Sequence, residues 1–231
     1  MVIYGRNPVR EALRGSRTVR RIWATKNALR ETWLAPAGVP VEPAAAEEIE
    51  RRAGTADHQG ICADVSEFVY ADPDSLLAVN GALLVALDQI QDPQNLGAIC
   101  RTAECAGATG VVIPERRAAE VTAAVCKASA GAVEHLPIAR VRNLADLLTD
   151  AKGAGMWCYG ADADSAVAYD QVDYAGSAVL VLGSEGRGLR PRVAGACDAL
   201  VAIPMRGRIE SLSVSAAAAV LIYEAARRRQ G

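Results

Sequence analysis

Leu182-Gly183-Ser184-Glu185-Gly186-Arg187-Gly188-Leu189 follows an apolar run that begins at Ala178, and its reading decides the fold. An apolar strand that runs straight into three spaced glycines lets the main chain turn back and approach a ligand closely. Such a site is built from backbone rather than from side chains. The spacing is G-x-x-G-x-G, not the dinucleotide fingerprint G-x-G-x-x-G, and no phosphate-binding G-x-x-x-x-G-K-[ST] is present either. Further on, Ile203-Pro204-Met205 closes another apolar run, where Pro204 removes a donor as the sheet stops. The apolar Ile203 and Met205 are suited to sandwich an adenine. Ser211-Leu212-Ser213-Val214-Ser215 then opens a helix expected over 214–226, with serines as favoured caps. That helix is apolar nearly all round, so it should be buried, in part at a subunit interface. It ends in Arg227-Arg228-Arg229, which suits the helix dipole and also phosphate.

The preceding stretch explains what surrounds this loop. Apolar runs at 83–87, 110–113, 156–159, 178–182 and 200–203 read as parallel strands. Helical segments at 94–106, 142–152 and 190–196 separate most of them. Near-continuously apolar strands alternating with helices predict a parallel sheet covered on both faces. Sites in such sheets lie at the carboxyl ends of the strands. Asp92-Pro93-Gln94-Asn95-Leu96-Gly97 leads into Arg101 at one of these ends. Asp92 can cap the helix that Pro93 begins, and Leu96, Ile99, Cys100 and Ala103 give it a core-facing stripe. Gln94, Gly97 and Arg101 are expected on a different face, and Gly97 asks for a close neighbour.

Residues 1–69 read as a small α/β unit: a helix capped by Asn7 with Pro8 in its first turn, strands at 20–24, 39–42 and 60–65, and a helix at 44–52. Residues 70–81 read as a linker and 82–231 as the second unit. The first 30 residues carry eight Arg or Lys against the single acid Glu11, although the net charge of the chain is −2. A basic end supplies the phosphate attraction that RNA binding requires. Six cysteines without a C-x-x-C pair, and only two histidines, argue against a metal site. No run approaches the roughly 20 apolar residues of a spanning helix, and the first residues lack the layout of a secretory signal, so a cytoplasmic location is expected.

The three blocks, N-x-G-x-x-x-R at Asn95–Arg101, G-x-E-x-x-G within 183–188 with I-P-M at 203–205, and S-L-x-V-S at 211–215, resemble in order and spacing those of the SpoU/TrmH family of RNA ribose 2′-O-methyltransferases, within the SPOUT class. The nearest likeness is to enzymes that methylate a guanosine ribose in bacterial 23S rRNA. The resemblance implies an α/β parallel-sheet domain with a C-terminal trefoil knot, preceded by a small ribosomal-protein-like substrate-binding domain that includes the His58-Gln59-Gly60 turn. It also implies a homodimer formed through the knotted domain. By the same resemblance, main chain around Leu182, Gly183, Gly188, Ile203, Met205 and Leu212 holds S-adenosylmethionine. Arg101 is the implied catalytic residue, with Asn95 and Ser211 to orient it, Glu185 as the family's acid, and Ser213 in the third block. Arg6, Asn7, Arg10 and Lys127 are the expected RNA contacts, Lys127 within the small-residue segment 127–132. One departure stands out: the family's asparagine in S-L-N-V-S is Ser213 here, and a hydroxyl is shorter and lacks the two-ended amide.

Two other readings remain within reach of these residues. One is a tRNA ribose methyltransferase. The other is an RNA-binding or ribosome-assembly protein that keeps the fold without catalysis. A serine hydrolase lacks its G-x-S-x-G, and a nicotinamide enzyme lacks its glycine pattern.

Overall fold

The computed structural model describes residues 1–229. The chain begins with β1 (Val2–Tyr4), α1 (Arg6–Arg14), β2 (Val19–Ala24), β3 (Val41–Pro43), α2 (Ala46–Ala53) and β4 (Ile61–Val65). These strands form one sheet in the order β1-β4-β2-β3, antiparallel except where β2 meets β3. Helix α1 starts earlier than its sequence suggests. Gly5, at φ 96°, is its N-cap, so Asn7 lies inside the first turn and caps nothing. The reason is the tight exit from β1: Gly5 N is tied to Ile61 O at 3.1 Å, and Gly5 O already accepts from Val9 N.

The second sheet is wholly parallel. Its strands are β5 (Leu83–Asp88), β6 (Gly110–Pro114), β7 (Ile138–Val141), β8 (Trp157–Ala161), β9 (Ala178–Gly183) and β10 (Ala199–Val201), in the order β10-β8-β9-β5-β6-β7. Between and after them run α4 (Pro93–Cys105), α5 (Ala123–Ala128), α6 (Leu144–Gly153), α7 (Pro191–Ala194) and α8 (Val214–Arg228). Strand alternation divides the core. Leu83, Val85 and Leu87 face α4 and α8, in a cluster with Leu96, Ile99, Leu221 and Ile222. Leu84 and Ala86 belong to the opposite cluster, with Leu144, Leu148 and Val193 from α6 and α7. Both faces are therefore dry, which is why the strands carry so few polar residues.

One further expectation is corrected. The strand expected at 200–203 ends at Val201, so Ile203 lies beyond it in the loop that follows. The connection expected at 70–81 packs against the sheet. It holds α3 (Pro73–Leu77), capped by Asp72 and anchored by buried Leu76, and Ala71 bridges in parallel to Ala139 beside β7. Among the described residues no helix is long and apolar enough to cross a membrane.

Candidate functional site

The carboxyl ends of β8, β9 and β10 open into a cavity of about 760 Å3. It is lined by the loop 183–189, by 201–205, by 209–212 and by 161–168. Its size falls in the range of small-molecule and cofactor sites, roughly 300–1,000 Å3. Leu182, Gly183, Gly188, Ile203, Met205, Leu212, Glu185 and Ser211 all stand in its wall, so the second and third blocks meet at one place. The stretch from Ala161 to Ala168 contributes a wall that the sequence gives no signal for beyond an acid, Asp162, after an apolar run.

Gly183 is required by contact. A Cβ there would lie 2.1 Å from the carbonyl carbon of Gly188 and 2.4 Å from Leu189 N, so the loop folds directly back onto its own start. Gly188 N donates to Ser184 O at 2.9 Å and closes that turn. The far end is fastened by residues the sequence does not advertise. Asp88, its side chain fully buried at the end of β5, accepts from Arg190 N at 2.9 Å and from Arg190 Nε at 2.8 Å, with Nη2 at 2.7 Å. The loop is thus pinned at both ends to adjacent strands.

Glu185 projects from this loop and joins two helices. Its Oε1 accepts from Asn95 Nδ2 at 3.2 Å and from Val214 N, at the start of α8, at 3.3 Å. A carboxylate is favoured at that helix start, where backbone donors lack intrahelical partners. Ser213 is the cap of α8, its Oγ accepting from Ala216 N at 3.3 Å. That capping role is one a serine fills as readily as an asparagine.

Arg101 is exposed on α4 and belongs neither to the cavity wall nor to the groove beside it, which Asn95, Glu185, Arg187 and Val214 line. Asn95 and Arg101 stand six positions apart, so they occupy different helix faces, and Asn95 is turned to Glu185 instead. Gly97 lies one helical turn before Arg101, on the same side of α4. It is buried, and a Cβ there would meet Ala128 Cβ at 2.4 Å and Ser129 N at 2.9 Å. Its close neighbour is the end of α5, not a substrate.

Of the expected RNA contacts, Arg6 pairs with Glu31 at 2.8 Å, Arg10 pairs with Glu11 at 2.8 Å, and Asn7 is exposed. Lys127 is turned inward: its Nζ donates to Asp57 O at 2.9 Å and lies 5.9 Å from the Tyr4 ring centre. Its ammonium therefore serves the contact between the two sheets rather than an open phosphate site. Burial pushes the Cys100 and Cys158 thiols up to about 12, as inert core groups. Among the described residues no group of three or more His, Cys, Asp or Glu comes together as a metal site.

Comparison with known proteins places this geometry. The model of the SpoU rRNA methylase family matches residues 82–223, and that of the RNA 2′-O ribose methyltransferase substrate-binding domain matches residues 2–71. The chain is 42% identical to an uncharacterized tRNA/rRNA methyltransferase of Mycolicibacterium vanbaalenii, over 99% of this chain and 77% of that one. Its fold is similar to that of the SpoU methyltransferase AviRb of Streptomyces viridochromogenes in complex with AdoMet, with a TM-score of 0.84 and 26% identity over 100% of this chain and 91% of that one. An AdoMet-bound rRNA methyltransferase of Sinorhizobium meliloti gives a TM-score of 0.81 and 27% identity, over 98% of this chain and 86% of that one. With the cavity at the strand ends and both family models matched in sequence order, the chain belongs to the SpoU family of RNA methyltransferases.

Proposed function

We propose that this protein methylates a ribose 2′-hydroxyl of RNA with S-adenosylmethionine, at a guanosine of 23S rRNA, in the cytoplasm. The observation that carries the reading is the meeting of the 183–188 loop, I-P-M and Ser211-Leu212 in one cavity, with Asn95 of the first block hydrogen-bonded to Glu185 in its wall. The residues there fit the cofactor. Leu182, Ile203, Met205 and Leu212 offer apolar surface to an adenine, and the main chain at Gly183 and Gly188 offers polar groups for its edge and for the amino-acid tail. Carboxylates of Glu185, Glu210 and Asp162 in the same wall suit a positively charged ligand. S-adenosylmethionine supplies a methyl carbon made electrophilic by its sulfonium charge.

The chain's own residues prepare the nucleophile. A guanidinium stays protonated, so Arg101 is no base. It acts as the cation beside the oxygen that loses its proton, and as a clamp on the neighbouring phosphate, with water taking the proton. Arg101 stands outside its own cavity, so this role calls for a homodimer in which α4 of one protomer faces the cavity loops of its partner. The exposed Met205, Ile209, Leu212 and Tyr223 give such a dimer apolar surface. Residues 1–69 act as the RNA-binding unit and 82–231 as the methyltransferase unit. The knot implied by the resemblance fits the tie between loop 183–189 and the start of α8 through Glu185.

Calorimetric titration with S-adenosylmethionine, then tritium-methyl transfer to undermethylated ribosomal RNA and to tRNA, tests this reading. Transfer to ribosomal RNA is expected. Transfer to tRNA alone makes the protein a tRNA enzyme, and binding without transfer makes it an assembly factor. Arg101→Ala should abolish transfer and leave cofactor affinity intact; retained turnover removes Arg101 from the mechanism.

A further inference from the structure

The N-terminal unit is held to the catalytic sheet by more than the chain that connects them. Arg17, just after α1, has a side chain only 6% exposed, and its Nη1 lies 3.0 Å from Oε1 of Glu134, whose side chain is fully buried. The same guanidinium donates through Nε and Nη2 to Ser66 O, at 3.2 and 2.7 Å. Ser66 is the residue at which the chain leaves β4. One side chain thus grips both the end of the N-terminal unit and the turn Ala132–Glu134 that follows α5.

Other contacts converge on this junction. Glu11 Oε2 lies 3.0 Å from His135 Nε2, and Lys127 Nζ lies 3.4 Å from Asp57 Oδ1 at the opposite end. Val121 N donates to the hydroxyl of Tyr70 at 3.0 Å, and Ala71 N donates to Ile138 O at 2.8 Å. Beneath them Val9 and Ala12 share one apolar core with Val125, Cys126 and Val133. From the junction a packed route leads to the cavity: α5 abuts Gly97 of α4, and Asn95 of α4 reaches Glu185 in the cavity wall.

Exposed ion pairs contribute little, but a buried pair that loses one member strands the other without water or partner. This pair spans two units, each with its own sheet. A stranded Glu134 must take a proton or draw water into the junction, and either loosens the contact between the units while both stay folded. We propose that Arg17 and Glu134 are positioning residues that hold the RNA-reading end of α1 at a set distance from the cofactor cavity, and so select which ribose is presented. The proposal rests on the methyltransferase reading above.

The test uses the full chain carrying Arg17→Met, with and without Glu134→Leu. Arg17→Met should raise KM for RNA roughly tenfold or more, because the head no longer holds the RNA in register. Turnover number and S-adenosylmethionine affinity should stay within about twofold. Hydrogen exchange at the amides of Ala71 and Val121, measured without RNA or cofactor, should accelerate. Adding Glu134→Leu removes the charge that seeks water, and should return KM and exchange toward the parent values. Unchanged KM and exchange in Arg17→Met overturn the proposal, and so does failure of the second substitution to rescue. Loss of cofactor affinity in step with KM also overturns it, as a merely structural role would do that. Should Arg17→Met not fold, Arg17→Gln carries the same comparison, since it too leaves the Glu134 carboxylate without its cation. If the parent protein transfers no methyl group, the functional reading fails, while exchange still decides whether the pair locks the units.

Discussion

Gly183→Ala asks the most of the proposed cavity. The added methyl carbon would lie 2.1 Å from the carbonyl carbon of Gly188, 2.2 Å from its oxygen and 2.4 Å from Leu189 N. All three are backbone atoms, so no rotamer change relieves the clash. Ordinary carbon contacts begin near about 3.5 Å, so the returning arm of the loop must move by more than about 1 Å. It cannot glide freely, because Gly188 N is bonded to Ser184 O and Arg190 is fastened to Asp88. Overpacking of this kind costs roughly 1–3 kcal/mol. If that cost falls on the loop that forms the cavity wall, affinity for S-adenosylmethionine drops between about fivefold and a hundredfold, at about 1.4 kcal/mol per decade. The loop is exposed and can shift without opening the core, so the urea midpoint should move much less than the affinity. Calorimetric titration beside urea unfolding separates the two. Affinity within about twofold of the parent would refute the backbone-built cavity, since an energy near zero means the turn is not packed as described.

Two further outcomes follow from the same contacts. Asp88→Asn keeps the shape but removes the charge that Arg190 meets, and charge-assisted hydrogen bonds contribute about 1.5–3 kcal/mol. Arg190 is 43% exposed, so the loss should sit at the low end of that range, read by urea unfolding; an unchanged midpoint would mean the loop is anchored elsewhere. Glu11 gives a pH signature. Burial pushes its carboxyl up, but hydrogen bonds from Arg10 and His135 and the charges of Arg14 and Arg10 outweigh this and hold it below the usual range. A lowered pKa in the folded state contributes stability above the unfolded value, and that contribution is lost as pH falls through the folded one. Glu11→Gln should therefore flatten the acid limb of a stability-against-pH curve, and superimposable limbs would remove Glu11 from the junction's energetics.

The catalytic sheet was largely legible because its strands are buried on both sides and read as unbroken apolar runs. β7 was not, because Ile138–Val141 is short and carries Arg140. β1 is three residues long, too brief for any period to register. Gly97 signalled a close approach, but the partner, Ala128 with Ser129, lies some thirty positions on, and local sequence cannot name it. The same holds for Asp88 with Arg190 and for Arg17 with Glu134, whose meaning depends on pairing across the fold. Asn7 misled because a cap depends on where the chain turns, and Gly5 turns it first. The second and third blocks carried the cavity, and only the fold reveals that Glu185 ties Asn95 to α8.

The bridge between Ala71 and Ala139 has a consequence for the open edge of the catalytic sheet. β7 is the last strand of its sheet, and a bare outer strand is a template for pairing with other chains. The segment that attaches the head occupies the start of that margin, as a selvedge finishes cloth. Trimming the protein back to its catalytic half would strip the margin, leaving an apolar rim prone to self-association.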